Sequence, residues 1–363
     1  MYKEIGSDFW LNKYEMLPNK ALTLDFLGID YFDMALLSTG RSAISFTLEH
    51  IDPYINTKTA LIPSYTCQTV IQPFLSVGYE IYSFNVNKHL VCDRAELLRC
   101  VELYKPSVIL LHGYFGFNTL EVLDQVIAEV RKNGTFIIED MTQTLYSEFK
   151  HLDADFYIAS LRKWGPLPDG GLVLSRNIPL DSKPAQTDVE LEESKLKAMH
   201  AKYLYMEKNI GQKPNFLGLF REAEALLGQQ DSYYTMGIMS KAIQANLNIT
   251  HLRKQRRANY TSLLKHLLES DVVNPVFQSL PDSVVPLYFP VYVKSERRTI
   301  QQYLASHDIY CPVIWPKPTD NSNIVEEVNW IYENILAIPC DQRYNADDME
   351  RIANTLMEFP KLD

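Results

Sequence analysis

Short apolar runs alternate with helical patterns between residues 36 and 175 of this 363-residue chain. The runs are Thr59–Ile62, Ser107–Leu111, Thr135–Ile138, Asp155–Ala159 and Gly171–Leu174. Strands that are apolar on both faces and are separated by helices are typical of a mostly parallel sheet with right-handed crossovers. The pattern predicts an α/β fold in which a ligand binds at the carboxyl ends of the strands.

The remainder of the chain has a different pattern. Residues 1–35 are aromatic-rich and irregular, and the clearest amphipathic helix runs from Gln244 to Ser270. Its basic run Arg253–Arg257 predicts a solvated helix face, with a contact to an anionic substrate or to a partner subunit as the alternative. Beyond residue 283 the predicted elements are strands at Val284–Val293 and Tyr310–Ile314 and a C-terminal helix at Asp347–Met357.

These patterns predict two domains. Residues 1–250 would form a large domain with an N-terminal arm, and residues 251–363 a small C-terminal α+β domain. The boundary would lie within the long helix, between residues 240 and 260.

The composition excludes several classes of protein. The apolar fraction of 46% and the charged fraction of 22% are those of a soluble globular protein. A net charge of −10 argues against a nucleic-acid-binding protein. No run approaches the roughly 18 apolar residues of a membrane span. The cysteines show neither CxxC nor Cys/His spacing, which predicts no metal site and unpaired thiols in a reducing cytoplasm; they are Cys67, Cys92, Cys100, Cys311 and Cys340.

Polar residues follow two of the apolar runs, and their types suit one cofactor. Asp140 and Gln143 follow one run, and Ser160 and Lys163 follow the next. Pyridoxal 5′-phosphate (PLP) needs a lysine amine for a Schiff base and a carboxylate that keeps its pyridine nitrogen protonated. Ser160, three residues before Lys163, would reach the phosphate while the amine reaches the aldehyde.

The cofactor also needs a phosphate cup and an aromatic neighbour. Thr39-Gly40-Arg41-Ser42 precedes a helical pattern, and N–H groups at a helix start bind phosphate. Gly40 would allow close backbone approach. Tyr65 or a neighbour in PSYTC is the candidate for stacking on the ring, with a place in the core as the alternative.

These motifs resemble, in order, those of the DegT/DnrJ/EryC1/StrS aminotransferases, PLP enzymes of fold type I. STGRSAI is similar to the family's S-G-T-A-A-L loop, PSYTCQT to P-S-F-T-F-x-A-T, and VILLHGYFG to H-x-x-G. IIEDMTQ is similar to E-D-x-A-Q, and ASLRKWGPLPDGG to the lysine segment. The resemblance implies a large domain with a mostly parallel seven-stranded sheet and a small C-terminal α+β domain.

The same resemblance implies a role for each site residue. Lys163 would form the Schiff base and carry the proton in catalysis, Asp140 would hold the pyridinium, and Gln143 would bond the phenolic oxygen. Gly40, Arg41 and Ser160 would bind the phosphate, with a hydroxyl contact from Ser42 or Thr39. His112 would orient the loop after its strand.

The resemblance also implies an activity and an assembly. The family transfers an amino group from glutamate or glutamine to a keto acceptor, commonly a nucleotide-linked keto sugar. Its members are homodimers with their sites at the subunit interface. We therefore expect a cytoplasmic homodimer that serves nucleotide-sugar or polysaccharide metabolism and has neither a nucleic acid nor a membrane as partner.

Three positions depart from the family pattern. Arg41 stands where the family has threonine, and Cys67 where it often has an aromatic residue. Gln230–Thr235 stands near the place of G-Y-N-Y-R, whose asparagine reaches the neighbouring subunit. The alternatives are another reaction on the same fold, such as that of a lyase or an amino-acid transaminase, and a non-catalytic homologue that acts as a scaffold or sensor. Lys163 argues against the sugar-dehydrating relative, which has histidine there.

Overall fold

The structure is a computed structural model that describes residues 4–12, 20–230, 232–319 and 325–360. Its strands are β1 (Ile5–Gly6), β2 (Asp33–Leu37), β3 (Thr59–Pro63), β4 (Glu80–Phe84), β5 (Val108–His112), β6 (Phe136–Asp140), β7 (Phe156–Ser160), β8 (Gly171–Ser175), β9 (Val273–Pro275), β10 (Phe289–Val293), β11 (Ile309–Tyr310) and β12 (Ile335–Ile338). Its helices are α1 (Gly40–Ile51), α2 (Gln68–Ser76), α3 (Arg94–Tyr104), α4 (Asp124–Arg131), α5 (Val189–Lys208), α6 (Lys213–Gly228), α7 (Ile238–Asn246), α8 (Ile249–Leu267), α9 (Arg297–Ser306), α10 (Glu326–Asn334) and α11 (Ala346–Met357).

The largest sheet has seven strands, in the order β2-β8-β7-β6-β5-β3-β4, and is mostly parallel. β3 pairs in parallel with β4 and β5, and β5 with β6. β8 is antiparallel to both of its neighbours, β2 and β7. Every residue of β5, β7 and β8 is buried, as expected for strands covered on both faces. The predicted α/β fold with a seven-stranded sheet is confirmed.

The chain packs as two compact units, each built from segments that are distant in sequence. Unit 1 takes its described residues from Met1–Ser7, Tyr54–Asp155 and Ile249–Asp363, and unit 2 from Asp8–Pro53 and Phe156–Asn248. The predicted domains, residues 1–250 and 251–363, assume a single cut of the chain. That assignment stays a prediction. One of the unit boundaries, between Asn248 and Ile249, lies close to the predicted domain boundary at residue 250.

Several predicted elements of the C-terminal half are shorter in the structure. The helix predicted from Gln244 to Ser270 is two helices, because Leu247 is extended and ends α7 before α8 begins. The strand predicted to start at Val284 starts at Phe289, because the N–H groups of Val285 and Leu287 bond to Ser147 Oγ and to the Phe115 carbonyl instead of to a neighbouring strand. β11 has only two residues, and Pro312, which cannot donate a ladder hydrogen bond, follows shortly after it.

The basic run Arg253–Arg257 is not the solvated helix face that its charge predicts. Arg256 is only 1% exposed, and its Nη1 donates to the carbonyl oxygens of Pro286 and Leu287. A buried guanidinium needs such acceptors to offset its lost hydration. The prediction of a solvated face is therefore wrong for Arg256, which ties α8 to the segment before β10.

The part of the chain that the structure describes has neither a membrane-spanning helix nor a disulfide. Among these residues, no helix combines the length and apolar character needed to cross a membrane. All five cysteines are free thiols, and all lie in unit 1.

Replacing Asn345 with alanine should destabilise unit 1, because it removes a reciprocal cap of α11. The Asn345 side chain accepts from the N–H groups of Asp347 and Asp348, and Asp348 accepts from the Asn345 N–H. We expect a loss of about 1 kcal/mol in urea unfolding followed by circular dichroism. Glu350→Ala, an exposed change on the same helix, should stay within about 0.5 kcal/mol of wild type. Equal losses in both variants would show that the cap contributes nothing specific.

Candidate functional site

Asp140 and His112 lie next to each other at the carboxyl ends of β6 and β5 in unit 1. The parallel register pairs these two residues directly. Both are buried, and Asp140 Oδ1 accepts from the Thr142 N–H at 2.8 Å. His112 Nε2 lies 3.0 Å from Thr66 Oγ1, which fixes the imidazole against the segment after β3. The strand-end position predicted for Asp140 is therefore confirmed. His112 bonds to the segment after β3, so its role in orienting the loop after its own strand stays a prediction.

Gln143 follows three residues after Asp140 and keeps one polar atom without a partner. Its side chain is 2% exposed, and Oε1 accepts from the Phe115 N–H at 2.6 Å. Because that contact requires an acceptor, the other end of the amide is the Nε2 donor. Nε2 is buried without a hydrogen-bond partner among the described residues. A buried donor of this kind points to an acceptor that the protein itself does not supply.

Tyr65 lies in the core of unit 1, within an aromatic cluster. It is 0% exposed, and its ring centroid is 5.6 Å from that of Tyr114, 5.0 Å from Trp315 and 4.8 Å from Tyr332. Burial raises the pKa of Tyr65 well above its usual range. The structure thus shows Tyr65 in the core position that the sequence left open as an alternative, and stacking on a ligand stays a prediction. Cys67, the N-cap of α2, is partly exposed two residues later.

The predicted phosphate cup is the N-terminus of α1 in unit 2, and the helix begins at Gly40. Thr39 caps it, with Oγ1 accepting from the Ser42 N–H at 2.9 Å. The first turn of a helix offers N–H groups that have no helical partner, here those of Gly40 and Arg41. The Arg41 guanidinium, however, donates to the carbonyl of Leu227 at 3.3 Å. The backbone fits an anion, while the Arg41 side chain is bonded elsewhere.

Gly40 packs against Ser160, also in unit 2. A Cβ at Gly40 would stand 3.0 Å from Ser160 Cβ, so only glycine allows this approach without a shift. Ser160 ends β7, and Lys163 ends the 3-10 turn that follows. The S-x-x-K spacing thus spans the end of β7 and this turn, and Ser160 lies against the start of α1. That the Ser160 hydroxyl and the Lys163 amine face one ligand stays a prediction.

An ion cluster that includes Arg162, the residue before Lys163, had no signal in the sequence; its Lys195 side chain is buried, whereas its Glu224 side chain is 54% exposed. Glu224 on α6 pairs with Lys195 on α5 and, at 3.6 Å, with Arg162. Burial lowers the pKa of Lys195. Burial also opposes ionisation of Glu224, but Arg162 and Lys195 hold its pKa below the usual range. The residues are distant in sequence and meet only because α5 and α6 pack together.

Two buried carboxylates cap the start of α7 in the same unit. Asp169 accepts from the Gly237 N–H at 3.1 and 3.0 Å, and Glu192 accepts from the N–H groups of Met239 and Ser240. Carboxylates near a helix N-terminus interact favourably with its dipole. Burial nevertheless raises the pKa of Asp169 to about 6, with Glu192 adding to the effect. Asp169 lies in the segment that follows Lys163, directly before Gly170 and Gly171. No motif in that segment predicted its capping role.

The segment Gln230–Thr235 packs within unit 2, except that Asp231 lies outside the described residues. Gln230 accepts from the Ser38 hydroxyl and donates to Asp188. The Tyr234 carbonyl accepts from the Ser38 N–H. The segment is thus held directly against the residue before Thr39.

The fold is that of known aminotransferase structures. No protein-family model matches the chain, and no curated protein does. PseC of Helicobacter pylori, an aminotransferase involved in the biosynthesis of pseudoaminic acid, is 15% identical, with a TM-score of 0.67 over 99% of this chain and 98% of that one. A DegT DnrJ EryC1 StrS aminotransferase of Brucella abortus is 16% identical, with a TM-score of 0.62 over 93% and 88%. The putative sugar aminotransferase Spr1654 of Streptococcus pneumoniae, in its PMP form, is 14% identical, with a TM-score of 0.65 over 90% and 87%. At these identities the likeness establishes the fold, and the chemistry rests on the site.

Replacing Gly171 with alanine should damage the start of α1 as well as the sheet. A Cβ there would lie 2.1 Å from the Thr39 carbonyl oxygen, so the capping residue must move. We expect a loss of at least about 2 kcal/mol in the stability of unit 2, measured by thermal unfolding. Gly218→Ala is the matched control in α6, where nothing lies within 4 Å of the new methyl group. It should stabilise by up to about 1 kcal/mol; a similar loss in both variants would refute the steric argument.

Asp169→Asn should change how stability depends on pH. The folded-state pKa of about 6 exceeds the ordinary 3.8, so the contribution of Asp169 is greatest below pH 3.8 and is lost as the pH rises through about 6. Asparagine keeps one acceptor and does not titrate. The variant should therefore gain on the order of 1 kcal/mol relative to wild type between about pH 5 and about pH 7.5, measured by thermal unfolding. Asp181→Asn, an exposed change in the same unit, should show no such gain, and a pH-independent difference for Asp169→Asn would contradict the argument.

Proposed function

We propose that this protein is a PLP-dependent aminotransferase. It would transfer an amino group from glutamate or glutamine to a keto acceptor, and we infer a nucleotide-linked keto sugar as the acceptor class. The observation that carries the proposal is the buried Gln143 Nε2, a donor without a partner three residues after the strand-end carboxylate of Asp140. The shared fold with three aminotransferases, one of them in its PMP form, supports it.

The residues present fit PLP on two observations, one in each unit. In unit 1, the orphaned Gln143 amide suits a phenolic oxygen, which is an acceptor. In unit 2, the glycine contact at Gly40 keeps the α1 N-terminus beside Ser160, an arrangement in which backbone N–H groups and the Ser160 hydroxyl would bind one phosphate. Arg41 would add a cation if its guanidinium left the Leu227 carbonyl.

Bound PLP supplies an electron sink for cleaving a bond at the substrate's Cα. The protein's own contribution would come from four side chains. The Lys163 amine would act as nucleophile and would then move the proton at Cα. Asp140 would accept the ring N–H and hold it protonated, Gln143 would bond the phenolic oxygen, and Ser160 the phosphate.

We further propose a homodimer in the cytoplasm. Unit 2 exposes several large apolar side chains, among them Phe32 at 67% and Ile238 at 73%, which a partner subunit would cover. The five unpaired cysteines suit a reducing compartment. Sedimentation of the purified protein tests the dimer.

Absorbance spectroscopy tests the cofactor and the lysine together. The purified or reconstituted protein should absorb at about 420 nm, as a Schiff base of PLP does, and Lys163→Ala should lose this band. Glutamate or glutamine should lower the band as the amine form accumulates. Lys183→Ala, an exposed lysine of the same unit, is the control and should keep it.

The other outcomes separate the alternatives. A colourless protein that cannot be reconstituted with PLP would contradict the proposed enzyme activity and favour the non-catalytic homologue. A coloured protein that ignores both donors would favour a lyase or another transaminase. Screening keto-sugar nucleotides for 2-oxoglutarate release from glutamate then identifies the acceptor.

A further inference from the structure

The turn that follows β5 contains a residue that its backbone conformation disfavours. Tyr114 and Phe117 face each other across the turn, and the Phe117 N–H donates to the Tyr114 carbonyl oxygen at 2.9 Å. Both central residues have a positive φ, 55° at Phe115 and 97° at Gly116. Positive φ at both central positions is typical of a type I′ turn, which favours Asn, Asp and Gly there. Glycine suits this conformation, whereas the Cβ atom of Phe115 makes it unfavourable.

Contacts on both sides of Phe115 hold it in this conformation. Its side chain is 0% exposed, and burial of an aromatic ring is strongly favourable. Its carbonyl oxygen accepts from the Leu287 N–H at 3.0 Å, and the carbonyl oxygen of Gly116 accepts from the Ser147 hydroxyl at 2.7 Å. A Cβ at Gly116 would lie 2.0 Å from the Val285 carbonyl oxygen, so the turn packs directly against the segment before β10. The surrounding structure of unit 1 therefore fixes the turn.

The left-handed conformation directs the Phe115 N–H at the Gln143 side chain. The N–H donates to Gln143 Oε1 at 2.6 Å, and both residues are buried. Because φ and ψ set the angle between a residue's N–H and its carbonyl group, they allow Phe115 to donate to Gln143 and to accept from Leu287 at the same time. A flip of the Gln143 amide would place its NH₂ group against the Phe115 N–H, so that two donors would meet. The bond therefore fixes which end of the amide is left for a ligand.

We propose that Phe115 is a positioning residue for the cofactor. Its backbone N–H holds the Gln143 amide in the one orientation in which Nε2 donates to the phenolic oxygen of PLP. This inference rests on the proposed function, because it needs PLP beside Gln143. Backbone strain that the surrounding structure over-determines is concentrated at functional sites. Without this N–H, the amide would also adopt the flipped orientation, in which an acceptor oxygen faces an oxygen that is itself an acceptor.

The test removes the Phe115 N–H alone. Phenyllactic acid at position 115, introduced by nonsense suppression, keeps the ring and has an ester oxygen in place of the N–H. The readout is the pH midpoint at which the PLP band at about 420 nm fades, because this band belongs to the protonated Schiff base. A donor to the phenolic oxygen withdraws negative charge from beside the Schiff-base nitrogen, so loss of that donor favours the protonated form. We expect the midpoint to rise by about 0.5 pH unit.

Two controls show whether the effect runs through Gln143. Phenyllactic acid at position 117 removes the neighbouring bond of the same turn, from the Phe117 N–H to the Tyr114 carbonyl, and should leave the midpoint unchanged. Gln143→Met removes the amide and should raise the midpoint by about one pH unit. In the Gln143→Met protein, phenyllactic acid at position 115 should cause no further rise, since two changes that remove one interaction are not additive.

Hydrogen exchange in the PLP-free protein tests the contact itself. The Phe115 amide should be protected in the wild-type chain, and Gln143→Met should speed its exchange by about tenfold, because the amide loses its acceptor. The Phe117 amide has the Tyr114 carbonyl as its acceptor and should exchange equally in both proteins. Equal exchange of the Phe115 amide in both proteins would overturn the inference.

The other outcomes separate this inference from the proposed function. If PLP binds and phenyllactic acid at position 115 leaves the midpoint unchanged, the positioning role is wrong and the proposed aminotransferase stands. An equal rise from phenyllactic acid at positions 115 and 117 would also overturn the role, because the effect would belong to the turn as a whole. A protein that protects the Phe115 amide but never forms the Schiff-base band would contradict the proposed function, and the role of Phe115 with it.

Discussion

β3, β5 and β6 run in the same direction, so their carboxyl ends all lie at one edge of the sheet. That constraint brings His112 and Asp140 into direct register although 28 positions separate them in the chain. The residues after these ends then bond to each other, as Gln143 does to the Phe115 N–H and His112 to Thr66. The polar edge of unit 1 is thus a consequence of strand pairing.

In unit 2, close packing of the backbone positions the polar residues at the start of α1. Gly171 and Gly40 bring β8, Ser160 and the start of α1 to distances that no side chain would allow. Thr39 then caps the helix from a backbone position that Gly171 holds. The backbone geometry at the start of α1 therefore depends on glycine at positions 40 and 171, where a Cβ atom would not fit, as much as on the polar residues.

Buried charges in both units are compensated locally. The Arg256 guanidinium donates to carbonyl oxygens, the buried Lys195 ammonium pairs with Glu224, and Asp169 accepts from a backbone N–H at a helix start. Asp169 is compensated least well, because its pKa is raised to about 6. The ion pairs and hydrogen bonds that these charged groups require hold α5, α6 and α7 in one arrangement.

The sequence by itself determined the α/β fold, the strand-end positions of Asp140 and Ser160, and the place of Lys163 just after β7. The reason is that apolar periodicity and the polar residues that interrupt it are local signals. The sequence misjudged Arg256, the length of the strand at Phe289 and the continuity of α7 with α8, since burial and tertiary hydrogen bonds outweighed charge and periodicity there. Only the tertiary structure decided that Gln143 Nε2 has no hydrogen-bond partner among the described residues, that Tyr65 lies in the core, and that Lys195 pairs with Glu224. Each of these facts depends on contacts between residues far apart in the chain, which no local pattern encodes.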